Sequence, residues 1–125
     1  MTTGFFTSDG EPALALEFRG LEGARSVEGV IDTGYNGGLA LPSDWIEAMG
    51  LREFGEENVI LADGSVKSIP TYLGYAILEE DAQEVIVAEA PSPLVGTDLL
   101  WGFSLYVEFQ SGGAVEIEPL PNASS

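Results

Sequence analysis

Residues 30–34 read Val30-Ile31-Asp32-Thr33-Gly34, which places one carboxylate at the end of an apolar, β-branched run, directly before a hydroxyl residue and a glycine. Such a run predicts a buried strand that ends at Asp32. A charged side chain in that position is unfavourable unless a nearby group pairs with it or neutralises it. The chain contains no convincing second carboxylate in an equivalent setting. If Asp32 performs acid–base chemistry, its simplest partner is therefore the same residue of a second copy.

The composition indicates one soluble, globular domain. The chain has 125 residues, of which 45% are apolar and 20% charged, so it can bury a core and is not a disordered acidic tail. Cysteine and histidine are both absent, which excludes disulfides, thiolate metal sites and mechanisms that need either residue. Acid–base chemistry is left to carboxylates, tyrosines and Lys67. We expect no metal site and no organic cofactor.

The net charge is −17, from 21 acidic and 4 basic residues. Phosphate backbones and anionic membrane surfaces would be repelled, so we expect neither nucleic acid nor a membrane as a partner. The charge indicates a well-solvated surface, with adaptation to high salt as an alternative. Residues 1–6 lack a basic segment and a long apolar stretch. The sequence thus predicts no signal peptide and no membrane span, and favours the cytoplasm.

Short apolar runs between turn residues predict an all-β domain with one or two short helices, closed or nearly closed. The predicted strands cover residues 13–18, 26–32, 38–41, 58–62, 65–75, 84–88, 105–109 and 114–117. One helix is predicted over residues 44–49, capped by Ser43 and ended by Gly50, and a helical turn over residues 98–101, capped by Thr97 or Asp98. The domain is predicted to occupy residues 1–118, with a flexible tail over residues 119–125.

The dipeptide Asp63-Gly64 predicts a tight turn between the arms 58–62 and 65–75, because glycine accepts a positive φ. Pro70 interrupts the second arm. Since proline cannot donate to a strand ladder, part of this hairpin is expected to lie at an edge or to project from the sheet.

Three features accompany Asp-Thr-Gly in a fixed order: the apolar strand and proline over residues 38–42, the hairpin around Asp63-Gly64, and Leu94-Val95-Gly96 before a helical turn. With these features the chain resembles the retropepsin-like aspartic proteases over roughly residues 10–118. It is most similar to small prokaryotic single-domain members, in which an aromatic residue, Asn and Gly commonly follow Asp-Thr-Gly. The resemblance implies a closed acid-protease barrel with one lobe per chain.

The resemblance also implies a homodimeric aspartic endopeptidase that hydrolyses peptides or proteins with water and without a cofactor. In that reading Asp32 is catalytic, Thr33 and Gly34 complete the active-site loop, and the two copies of Asp32 share one proton. The remaining residues implied to serve the site are Tyr35, Asn36 and Gly37 beside the cleft, Ala62, Asp63, Gly64 and Ser65 in a flap, and Leu94, Val95 and Gly96 in a supporting segment.

The chain departs from the retroviral-type members, many of which pair an acid after Asp-Thr-Gly with an arginine after the later glycine. Here these positions hold Asn36 and Thr97, so both charged members of the pair are missing. Losing both avoids the unpaired buried charge that a single loss would leave. We therefore interpret the difference as a different dimer contact and not as decay of the site. Two alternatives stay open. Bulky Tyr35 and a hairpin with a single glycine favour a dimeric module that binds peptides without cutting them. Alternatively, Asp-Thr-Gly is an ordinary turn in a monomeric acidic β-domain.

Overall fold

A computed structural model describes residues 1–121, which form eleven strands and two short helices. In chain order these elements are β1 (Thr2–Thr3), β2 (Phe5–Phe6), β3 (Pro12–Gly20), β4 (Gly23–Ile31), β5 (Leu39–Leu41), α1 (Ser43–Ala48), β6 (Arg52–Ile60), β7 (Val66–Leu78), β8 (Asp81–Glu89), β9 (Leu94–Val95), α2 (Thr97–Leu100), β10 (Phe103–Val107) and β11 (Val115–Pro119). Neither helix in this part of the chain is long and apolar enough to cross a membrane.

Six strands close into a barrel, as the sequence predicted. They pair in the order β3-β4-β9-β5-β8-β7, and β7 pairs again with β3 to complete the ring. β2 and β6 extend this sheet, and β1, β11 and β10 form a separate three-stranded sheet in that order. The all-β fold class is therefore confirmed.

The interior of the barrel is filled by inward-facing side chains, which alternate with outward-facing ones along a strand. In β3, Leu14, Leu16 and Phe18 are buried while Ala15 and Glu17 between them are exposed, which is the period of two expected for a strand with one buried face. Burying each large apolar side chain contributes about 1.5–3 kcal/mol. This pattern, readable in the sequence, explains why β3 was predictable as a strand.

Three local predictions need correction, and three short strands were not predicted. Ser43 begins α1 instead of capping it, and Pro42 stands at the N-cap without a side-chain bond. β6 begins at Arg52, six residues before the predicted arm, and the two-residue strands β1, β2 and β9 were not predicted as strands. The last strand reaches Pro119, and the Leu120 N–H donates to the Gly102 carbonyl at 2.9 Å. The start of the predicted tail is thus held in place, and residues 122–125 lie outside the described residues.

A hairpin formed by residues 55–71, here called the projecting hairpin, extends away from the barrel. β7 pairs with both β6 and β8 at Tyr72 and Leu73 and with β8 from there to Leu78, but between Val66 and Thr71 it pairs with β6 alone. Pro70 lies in that singly paired part, where its missing N–H disturbs no second ladder, as predicted. Gly64 closes the turn with φ +86°, a conformation that favours glycine.

Candidate active site

The loop that carries Asp32 (residues 32–38, the Asp32 loop) crosses the end of an inserted strand. β9 lies between β4 and β5, parallel to the first and antiparallel to the second, so that Val95 is opposite both Ile31 and Leu39. The Asp32 N–H donates to the Val95 carbonyl at 2.9 Å. The start of the loop is therefore fixed by a segment more than sixty residues away in sequence.

Asp32 is partly buried. The Gly34 N–H donates to its Oδ1 at 2.9 Å, and a Cβ at Gly34 would lie 3.2 Å from the same oxygen. Among residues 1–121 this carboxylate forms no ion pair or hydrogen bond with another ionisable side chain. Water can solvate the charge in a single chain, so the burial penalty expected from sequence is not incurred there.

Residues next to Asp32 in the loop are open to solvent. Thr33, Gly34 and Asn36 are exposed, and within residues 1–121 no hydrogen bond involves the Thr33 hydroxyl. This face of the loop is accessible to another molecule, whether a second copy or a ligand.

The segment Leu94-Val95-Gly96, predicted to support the loop, lies directly beneath it. The Gly96 N–H donates to the Gly38 carbonyl at 2.9 Å. Gly96 can approach so closely only because it has no side chain, since a Cβ there would lie 2.1 Å from the Gly37 carbonyl oxygen. Main chain therefore packs on main chain at this crossing.

Two residues after this segment complete the support in a way that the sequence did not indicate. The Thr97 N–H donates to the Tyr35 carbonyl at 2.9 Å, its hydroxyl donates to the same oxygen at 3.4 Å, and the Asp98 N–H donates to the Gly37 carbonyl at 3.1 Å. The prediction that Thr97 or Asp98 caps the helix is wrong: Gly96 is the N-cap of α2, without a side-chain bond. No local pattern signals contacts between positions so distant in sequence.

Tyr35 both packs against the loop and lines a cleft. A Cβ at Gly37 would lie 2.4 Å from the Tyr35 hydroxyl oxygen, and one at Gly96 would lie 2.7 Å from Tyr35 Cδ2, so the ring lies across both glycines. Burial raises the pKa of the Tyr35 phenol, and the nearby carboxylates of Glu57 and Asp98 raise it further. The phenol therefore stays neutral and able to donate a hydrogen bond at ordinary pH.

A pocket of about 320 Å³ opens between the Asp32 loop and the base of the projecting hairpin. Its lining residues are Tyr35, Gly37, Gly38, Phe54, Gly55, Glu56, Glu57, Thr71, Ile86, Ala88 and Asp98. Sequence reasoning did not identify residues 54–57 as part of a site, because a glutamate-rich run is typical of any solvated surface. The pocket is large enough for one amino-acid side chain and is open to solvent.

The predicted flap residues, Ala62, Asp63, Gly64 and Ser65, form the exposed tip of the projecting hairpin. They do not line the pocket beside Tyr35, which is formed by the base of the hairpin instead. The Ser65 hydroxyl and N–H both donate to Asp63 Oδ1, and these bonds lower the pKa of the Asp63 carboxyl. Asp63 thus acts as a turn residue whose carboxylate is hydrogen-bonded to Ser65.

The chemistry available to this arrangement is that of one carboxylate on a loop anchored through its main chain. It can accept or donate a proton, and among residues 1–121 no second acid–base side chain is hydrogen-bonded to it. Neither a scan against models of known protein families nor a search of curated proteins finds a match to this sequence.

Proposed function

We propose that this protein is a homodimeric aspartic endopeptidase in which Asp32 of each copy supplies half of the catalytic pair. The proposal rests on the sequence resemblance to the retropepsin-like proteases. The observation that carries it is the anchoring of Asp32: its N–H is bound to Val95, its Oδ1 accepts from Gly34, and its open side has no acidic partner among residues 1–121. An anchored carboxylate without an acidic partner among residues 1–121 is best explained by a second copy that supplies the second carboxylate.

The mechanism follows from bringing two carboxylates together. Two such groups within a few ångströms of each other cannot both ionise readily, so the pair holds one proton and titrates as a unit. This is the general behaviour of the aspartic proteases. The ionised carboxylate takes a proton from a water molecule as that water attacks the peptide carbonyl carbon. The protonated carboxylate donates its proton to the carbonyl oxygen, which gives a tetrahedral diol.

Dimerisation also supplies the desolvation that the single chain lacks. Asp32 is partly exposed in the chain by itself, and a second copy over Thr33 and Gly34 would exclude much of the water around it. Lower local solvation favours proton sharing within the pair. The pocket beside Tyr35 is then suited to a substrate side chain, with the projecting hairpin alongside the bound peptide.

The test is cleavage of a degenerate peptide library, read by mass spectrometry, by the natural protein and by Asp32→Asn. Amide replacement keeps the shape but removes the titratable group, so we expect a loss of about a thousandfold or more in rate. Asp9→Asn makes the same chemical change at an exposed turn residue and should cleave normally.

Each outcome decides between the proposals. Equal cleavage by Asp32→Asn and the natural protein would refute the catalytic role. Specific binding of library peptides without turnover between about pH 3 and pH 8, unchanged in Asp32→Asn, would replace the protease by the binding module.

A further inference from the structure

Strand edges with unpaired main-chain groups invite association with another chain, and native proteins protect such edges with charge, bulges, short length or covering segments. Three of the four sheet edges in residues 1–121 are protected in these ways. β2 is two residues long. β1 is equally short, and its Thr2 hydroxyl donates to Glu79 Oε1 at 2.9 Å. β6 carries three glutamates and an irregularity between Glu53 and Gly55.

The fourth edge, that of β10, has none of these protections. Residues 99–107 read Leu-Leu-Trp-Gly-Phe-Ser-Leu-Tyr-Val and contain no charged side chain, in a chain whose net charge is −17. β10 pairs only with β11 and is the outer strand of its sheet. Trp101, just before it, is 80% exposed. This is an apolar, regular and open edge.

The main-chain groups at this edge can be assigned from the ladder. The Glu108 N–H donates to the Ala114 carbonyl at 2.8 Å, and the Leu120 N–H donates to the Gly102 carbonyl at 2.9 Å. Because main-chain groups alternate in direction along a strand, the even-numbered residues bond to β11. The N–H and C=O groups of Phe103, Leu105 and Val107 therefore point outward, away from β11.

The exposure of Leu105 also indicates that this edge is open. Leu105 is opposite Ile117 in the ladder, on the face that packs against the core, and Ile117 is fully buried. Leu105 nevertheless stays 37% exposed, because no strand covers it from the open side. A further strand at this edge would bury it.

We propose that the occupant of this edge is β10 of a second copy, paired antiparallel about a two-fold axis at Leu105. With the axis there, Leu105 bonds to its own counterpart, and Phe103 bonds to Val107 of the other copy, so every outward-pointing group is paired. Under a two-fold axis the same strand of each copy forms both sides of the contact. The strand itself carries no charged side chain; the nearest carboxylates are Glu108, which accepts from the Tyr106 hydroxyl at 2.8 Å, and Glu116 and Glu118 on β11, so fewer charges face a second copy here than at β6.

This inference rests on the proposed function in one respect: it names the surface that forms the dimer required by Asp32. The connection between them is short. α2 (Thr97–Leu100) is bound to the Asp32 loop through the Thr97 N–H, and β10 begins three residues after that helix ends. A dimer contact at β10 would thus be linked to the loop through one rigid turn.

The absence of cysteine allows a direct test. Paired residues that exchange hydrogen bonds across antiparallel strands have Cα atoms about 5.5 Å apart, within the range that a disulfide spans. Under mild oxidation Leu105→Cys should therefore become a covalent dimer in the majority of chains. Leu21→Cys, at an apolar position that is 77% exposed in the turn after β3, is the matched control and should stay largely monomeric on a denaturing gel.

A charge exchange tests the self-pairing without a covalent bond. Leu105→Glu and Leu105→Lys should each weaken the dimer about tenfold or more by sedimentation equilibrium, and mixing the two should restore it, because residue 105 faces itself across the axis. Failure of both the crosslink and the rescue, in a protein that still dimerises, would overturn the β10 pairing. So would a protein that stays monomeric at all concentrations.

The two proposals fail separately. A β10-linked dimer without peptide cleavage would keep this interface and remove the protease. Cleavage that depends on Asp32, by a dimer insensitive to changes at Leu105, would keep the protease and remove this interface.

Discussion

Replacing Gly96 with alanine tests whether the Asp32 loop depends on close contact between main-chain segments. The Gly96 backbone has φ −95° and ψ 173°, which alanine adopts without strain, so any effect must come from contacts and not from backbone conformation. The new Cβ would lie 2.1 Å from the Gly37 carbonyl oxygen and 2.7 Å from Tyr35 Cδ2. Because the first of these neighbours is main chain, it cannot rotate away.

The magnitude follows from the displacement required. The Gly37 carbonyl must move by about 1 Å to reach normal contact with a carbon atom. A shift of that size would break or stretch the bonds from the Gly96 N–H to Gly38, at 2.9 Å, and from the Asp98 N–H to Gly37, at 3.1 Å. Overpacking typically costs about 1–3 kcal/mol and each lost hydrogen bond about 1 kcal/mol, so with both bonds lost we expect destabilisation of about 3–5 kcal/mol.

The assay is urea unfolding, followed by circular dichroism at one fixed protomer concentration, because the proposed dimer would make stability concentration-dependent. Gly55→Ala is the matched control: its Cβ would meet only Thr71 Oγ1, at 3.9 Å, and we expect a change within about 1 kcal/mol. If Gly96→Ala unfolds at the same urea concentration as Gly55→Ala, the loop is not held by this crossing and the reasoning is wrong.

Two further predictions concern pH and salt. Burial first, then Glu57 and Asp98, raise the pKa of Tyr35 above its ordinary value of 10.0, so its stabilising contribution is complete below about pH 10 and is lost as pH rises from there through the raised value. Tyr35→Phe should therefore lose less stability than the natural protein in alkaline urea titrations, and parallel profiles would contradict this. The affinity of the proposed dimer should rise about tenfold between about 0.1 M and about 1 M salt, because the screening length falls from ~10 Å to ~3 Å and two copies of charge −17 repel. Sedimentation equilibrium measures it, and an affinity independent of salt would show that repulsion does not limit assembly.

The fold was predictable wherever side-chain burial alternates along a strand. β3 shows this most clearly, since its buried Leu14, Leu16 and Phe18 alternate with exposed residues. β6 was only partly predicted because its pattern is almost uniformly exposed from Arg52 to Ile60. Its strand conformation comes from pairing with β7, and tertiary pairing leaves no signal in local composition.

The sequence predicted several residues of the candidate site but not the hydrogen bonds that join them. The order of Asp32-Thr33-Gly34 and Leu94-Val95-Gly96 along the chain indicated two segments that belong together, and the structure brings them into contact through Val95. The roles of Thr97 and Asp98 were not predictable, because their main-chain bonds to the loop depend on the closure of the barrel. Exposure of Asp32 in the single chain is likewise a property of the three-dimensional surface and not of the apolar run before it.

The insertion of β9 between β4 and β5 has a consequence for the order of events during synthesis. A nascent chain that has emerged only as far as β8 possesses Asp32 but not the strand that fixes it, because Val95 follows later in the sequence. Contacts between such distant segments form late, after the loop-closure entropy has been overcome. The start of the Asp32 loop would therefore be fixed only once residues 94–95 have been synthesised and have inserted between β4 and β5.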